Sequence, residues 1–138
     1  WNHFNVLIPI EEAPFKISVI PTNSLFDPVH FAFRIENEDG TFIYAPHGTK
    51  AKNLPKADVL ITTTTTFELP FWLGGTINLG YNKALIAKKL CGASMLVATH
   101  DEKKMGKGFV EKLAKKTYES QLKDIRVLKQ GEVLVFQR

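Results

Sequence analysis

Residues 93–102 read ASMLVATHDE, and the fold is decided by how this stretch is read. Ala93–Ala98 is an apolar run of strand length. It leads into His100, with Asp101 and Glu102 at once behind it and a Lys-rich helical pattern beyond. A His at the C-terminal tip of a buried strand is held by a rigid element and faces the mouth of a sheet, where α/β folds gather ligands. His100 is therefore the leading site residue, as metal ligand or general base, with Asp101 or Glu102 orienting its ring. The acidic pair has a second explanation, because a helix N-terminus favours Asp and Glu through its dipole. No His-x-His-x-Asp-His cluster occurs in the chain to support His100 with a dense ligand set.

Upstream of this stretch, Tyr81–Leu90 carries Ala84, Leu85, Ala87 and Leu90 among lysines, which predicts an amphipathic helix. Gly92 is placed to cap it. Asp58–Thr65, DVLITTTT, is β-branched and strand-like, and Thr62–Thr66 fits a strand edge or exit. Strand, helix and strand in this order predict that Met95–Thr99 lies parallel to Asp58–Thr65 through a right-handed crossover. Asp58 itself reads as a cap or turn residue. Between strand and helix runs Thr66–Tyr81, TFELPFWLGGTINLGY. Phe71 and Trp72 in this loop read equally as a substrate-contacting lid or as core residues.

Further upstream, Phe15–Ile20 alternates Phe15, Ile17 and Val19 against Lys16 and Ser18, a half-buried strand ended by Pro21. His30–Glu36 alternates again. An Asp-Gly pair within Asn37–Gly40 then predicts a hairpin, with Asp39–Gly40 as the tight turn joining Phe31–Ile35 to Phe42–Tyr44. His47, in PHGT, follows the return strand. Val6–Ile10 is a short apolar run. Downstream, Gly108–Leu122 reads as a second helix, and Ile125–Leu128 and Glu132–Phe136 as a closing hairpin joined by Lys129–Gly131.

The totals agree with one ordinary domain over residues 1–138, at 44% hydrophobic and 23% charged. The net charge of +4 sits mostly in Lys83–Lys89 and Lys103–Lys116 at helical spacing, the habit of a solvated face. No Arg-and-aromatic interleaving suggests nucleic acid, and no P-loop suggests nucleotide. No G-x-S-x-G elbow supports serine hydrolysis, with Ser94 read as lying inside a buried strand. Cys91, the single cysteine, cannot form an internal disulfide and reads as a small core residue in a reducing, cytoplasmic-type compartment. No apolar run is long enough to span a membrane. The chain begins at Trp1, so a processed chain or the C-terminal portion of a longer protein is expected.

Taken in order, FAFRIENEDGTFIYAPHG, ADVLITTT, KALIAKKLCGASMLVATH and VLKQGEVLVF resemble the C-terminal half of a metallo-β-lactamase-fold hydrolase. The resemblance spans roughly Phe15 to Phe136. It implies an α/β layered domain, a mixed sheet with helices packed on one face, as half of an αββα sandwich. It implies a metal-dependent hydrolase of a small-molecule substrate, with zinc or iron in the complete site, and it matches His100 to one metal ligand. His47 stands where the family usually has an Asp bridging two metals, and a neutral imidazole ligates one ion but does not bridge two as a carboxylate does. The loop Pro21–Asp27 lacks the expected middle His. The family's main metal motif belongs to an N-terminal half that this sequence does not contain. Stable catalytic zinc takes three protein ligands, so the chain alone is expected to hold an incomplete site or no metal. The alternative is a non-catalytic half-domain that binds a partner, the N-terminal half or a second copy of itself, through an uncovered sheet face.

Overall fold

A computed structural model describes residues 14–21, 31–46, 54–73, 75, 80–99, 115–117, 125–129 and 131–136. Strand β1 (Lys16–Pro21) pairs antiparallel with β2 (Phe31–Glu36), and β2 pairs antiparallel with β3 (Thr41–Ala45). From β3 onward the sheet turns parallel. It continues through β4 (Val59–Thr63) and, after helix α1 (Tyr81–Cys91), through β6 (Met95–Thr99) to the two-residue β8 (Arg126–Val127). The six strands lie in the order β1-β2-β3-β4-β6-β8. The parallel β4–α1–β6 unit is the one expected from the sequence. A second, two-stranded sheet joins β5 (Thr66–Glu68) to β7 (Lys115–Thr117).

The β2–β3 hairpin has the expected register, Phe33 opposite Tyr44 and Ile35 opposite Phe42. Its turn works differently from the one the Asp-Gly pair suggests. The loop spans Asn37–Gly40, and the Asn37 side-chain oxygen accepts the N–H groups of Asp39 (3.1 Å) and Gly40 (3.0 Å). This is Asx chemistry, in which a short amide stands in for a turn of backbone. Gly40 is needed for room, since a Cβ there would meet Asp58 Oδ2 at 3.2 Å and the Phe136 ring at 3.4 Å.

The register sorts side chains onto opposite faces. Ile20, Ala32, Ile43, Ala45, Leu60 and Leu96 form one buried cluster with Ala84, Ala87 and Cys91 of α1, which itself stands over β4 and β6. These helix positions recur at i, i+3 and i+7, one face of a 3.6-residue period. Small side chains let the helix lie close on the sheet. Leu90, expected on the inner face, is 49% exposed instead. Gly92 takes the left-handed conformation (φ 75°, ψ 16°), and its N–H bonds back to the Lys88 and Lys89 carbonyls, ending the helix as expected. Past the reach of α1 the same face turns polar, with Ser18 opposite Arg34 and Arg34 paired to Glu36.

The opposite face carries the cross-strand rows Val19–Phe33–Tyr44–Ile61–Val97 and Ile17–Ile35–Phe42–Val59–Met95. No described helix lies on it. Phe136 meets Phe42 edge-on, with ring centroids 6.0 Å apart. Val59 and Val97 are buried, while Val19 and Phe31 are 40% and 43% exposed. On β1, then, the apolar set of the alternating pattern faces this open side, and Ile20 supplies the buried contact.

Two expected elements are corrected. The expected helix Gly108–Leu122 lies outside the described residues except for Lys115–Thr117, which is a strand in register with Thr66–Glu68. Pairing to a strand edge overrides local propensity there. Of the expected closing hairpin, Arg126–Val127 is a strand within Ile125–Leu128, but it pairs with β6 and has no return strand among the described residues. Glu132–Phe136 has no strand partner; the Glu132 N–H bonds the Lys129 carbonyl (3.0 Å), and the segment returns Phe136 to Phe42. No helix among the described residues is long and apolar enough to cross a membrane.

Candidate functional site

Because β3, β4 and β6 run parallel, their C-terminal ends share one edge of the sheet. Ala45, Thr62 and Ala98 stand in one cross-strand row there, and Thr63 stands opposite Thr99. Two strand spacings of ~4.8 Å put Ala45 roughly 10 Å from Ala98. His47 comes two residues after Ala45, and His100 directly after Thr99. Both imidazoles lie outside the described residues, as do those of His3 and His30. The strand ends from which the chain runs on to His47 and His100 are thus brought to the same edge.

What lines the edge is threonine. Thr62, Thr63 and Thr64 are fully buried, and Thr65 is 1% exposed. The Thr62 hydroxyl donates to the Ala45 carbonyl at 2.7 Å, tying β4 to β3. The Thr63 and Thr65 hydroxyls lie 3.4 Å apart where the chain bends at the exit of β4. Thr64 Oγ1 has no hydrogen-bond partner, the one such buried side-chain atom among the described residues. The start of α1 comes down at the same place. A Cβ on Gly80 (φ 75°) would stand 2.9 Å from the Thr66 hydroxyl, so only glycine permits this approach. The first turn of α1 has no acidic residue, and Gly80 offers it no side-chain cap.

Phe71 and Trp72 stand on a short 3-10 turn, Phe71–Leu73, in the β5-to-α1 connection. Its base is tied by the Leu73 N–H to the Pro70 carbonyl (2.8 Å) and the Leu69 N–H to the Gly75 carbonyl (2.9 Å). The two rings are 90% and 71% exposed, so neither is a core residue of this chain. The loop leaves from and returns to the threonine edge.

The remaining candidates resolve to structural roles. Asp58 precedes β4 and holds the opposite edge together. Its carboxylate accepts the Thr41 N–H (2.8 Å), and its carbonyl accepts the Ser94 N–H (2.9 Å). Ser94 is exposed just before β6 rather than inside a buried strand, and its hydroxyl donates to the same carbonyl. Cys91 is buried at the far end of α1, and burial pushes its thiol up from the ordinary range. It is a packing residue, as its sequence context suggests.

Sequence reasoning read the threonine run as a strand exit and missed its unpaired hydroxyl. The available signal was the run itself, followed by a glycine at the start of a helix. Among the described residues no group of three His, Cys, Asp or Glu could hold a metal ion. No protein-family model, curated protein or solved structure matches the chain.

Proposed function

We propose that the chain is the C-terminal portion of a metal-dependent hydrolase of the metallo-β-lactamase fold, acting on a small-molecule substrate. The observation that supports this reading is the shared edge: β3, β4 and β6 are parallel, and His47 and His100 follow two of their C-terminal ends. His100 would supply a ligand to zinc or iron, His47 a second, and the N-terminal half of the sandwich the rest. A metal held there would polarise the substrate and activate water. Phe71 and Trp72, exposed on the loop that follows β5, would contact the apolar part of the substrate. Two imidazoles make a weak site, so loose zinc binding is expected, lost as pH falls through the ordinary His range near ~6.5. Calorimetric titration of zinc into the chain and into His100→Ala tests this. Weaker binding by the variant supports the reading, and equal affinity removes His100 from it.

A second reading rests on the sheet face opposite α1. Its aromatic rows are only partly covered, with Phe31 and Val19 open. On this reading the chain is a non-catalytic half-domain whose face receives another layer, from a second copy or an N-terminal half. A monodisperse monomer by light scattering at high concentration, with Phe31 and Val19 intact, counts against it.

A further inference from the structure

Phe71 and Trp72 are 90% and 71% exposed, and Leu73 beside them is 39% exposed. Large apolar side chains in succession thus stand in water at the tip of one loop. The loop is closed at its base. The Leu69 N–H bonds the Gly75 carbonyl (2.9 Å), and the Pro70 carbonyl accepts both the Leu73 N–H (2.8 Å) and the Gly75 N–H (3.3 Å). The rings are therefore carried on a tied turn, and presenting them to a partner needs little further ordering. Bonds inside the loop satisfy these N–H groups, and Pro70 has none to satisfy. Both lower the cost of taking this backbone out of water.

Charge is kept away from the tip and is mostly positive beyond it. From Leu69 to Asn82 the sequence has no charged residue. Lys83 follows, exposed in the first turn of α1, and Lys88 and Lys89 come later in the helix. On the other side of the loop, β5 ends in Glu68, whose register partner on β7 is Lys115. Phe71 comes soon after Glu68, so the Lys115 backbone lies at most roughly 16 Å from that of Phe71. Between Val59 and His100 the three helix lysines face a single acid, Glu68, in a chain whose net charge is +4.

We propose that this tip docks the protein on an anionic lipid surface. Phe71 and Trp72 would enter the boundary between headgroups and acyl chains, and the positive field of the lysine-bearing elements would hold the protein there. Both rings suit that boundary, Phe71 through its apolar face and Trp72 because its indole N–H can stay wet. A protein partner is ordinarily read by polar groups around such rings, and the side chains of Leu69, Pro70 and Leu73 supply none. Docking of this kind needs no membrane-spanning segment. The inference goes beyond the metal reading, in which the same rings meet the apolar part of a substrate, and it needs no metal.

The test sediments the full chain with vesicles of phosphatidylcholine and, in a second arm, of an equimolar mixture with phosphatidylserine. Binding to the mixed vesicles is expected, several-fold tighter than to the neutral ones and weakened by added sodium chloride. Tryptophan fluorescence should shift to the blue on binding. Trp72→Phe should abolish that shift and keep the binding, which excludes Trp1 as its source. The double variant Phe71→Ala, Trp72→Ala changes exposed positions, so the fold should persist while affinity falls roughly tenfold or more. Sedimentation with neither vesicle overturns the proposal, as does equal binding to both, equal binding by the double variant, or a shift that survives Trp72→Phe. Self-association without vesicles that the double variant loses, in a chain that binds no vesicle, would assign the tip to a second copy and overturn it too.

Discussion

The two faces of the six-stranded sheet are built from different materials. Under α1 the contacts are largely alanine: Ala32, Ala45, Ala84 and Ala87 have almost no exposure, wedged among Ile43, Leu60 and Leu96. The other face carries phenylalanines, a tyrosine and a methionine, and its β1–β2 end stays open. Small residues allow a helix to settle near the backbone, and bulky ones need a thicker layer above them to fill the space between. The chain has completed one layer with its own helix and displays a second surface of the composition that elsewhere forms cores.

The sharpest way to test that contrast is to hollow out the finished side. Leu60→Ala, at a fully buried position, should cost about 2–5 kcal/mol in denaturant unfolding. A loss below ~1 kcal/mol would mean that the α1 face is not the principal core. Overfilling comes next. Ala87→Leu pushes a large side chain between helix and sheet and should cost about 1–3 kcal/mol, whereas Ile86→Leu on the exposed side of the same helix should change little. On the open face the order of effects reverses. Phe31→Lys should alter monomer stability by no more than ~0.5 kcal/mol, the usual range for surface positions, yet it should suppress any self-association of the unmodified chain seen by light scattering. A large stability loss in this variant would show that the face is already filled.

The smallest effect belongs to Cys91, beneath the helix end. Its pKa is raised in the folded chain, so folding favours the protonated thiol. That contribution is whole below the unfolded value near ~8.5 and fades as pH rises through the folded value. Stability should therefore dip slightly on the alkaline side, and Cys91→Ala should flatten the dip. A thiol reagent should react slowly with the native chain at pH 8 and quickly after denaturation.

Legibility followed the range of the forces involved. The β2–β3 hairpin and the β4–α1–β6 unit could be read because period-two and period-3.6 patterns, together with Gly92, act within a few residues of one another. The site edge was legible as far as its strand ends. Parallel order alone brings Ala45 and Thr99 to one side. The strand at Lys115–Thr117 is not legible locally because its partner, Thr66–Glu68, lies far away in sequence and the Lys-Lys-Thr stretch carries no helix-breaking residue. The final hairpin failed for a related reason, since Val133 and Val135 alternate as a strand would and yet are left exposed without a partner. Nothing local could mark Thr64 within a run of identical residues.

Asp58 also bears on the order in which the molecule assembles. The β2–β3 hairpin closes only the Asn37–Gly40 loop and can form within microseconds. Asp58 must find Thr41 across 17 residues and Ser94 across 36, through one backbone bond to each, its carboxylate on the Thr41 N–H and the Ser94 hydroxyl on its carbonyl. Those closures carry the larger entropic cost and come late. The parallel half of the sheet is therefore recruited onto a hairpin that already exists, with Asp58 as the clasp fastened near the end. Loosening the clasp should make the folded molecule come apart faster and leave its rate of formation almost unchanged.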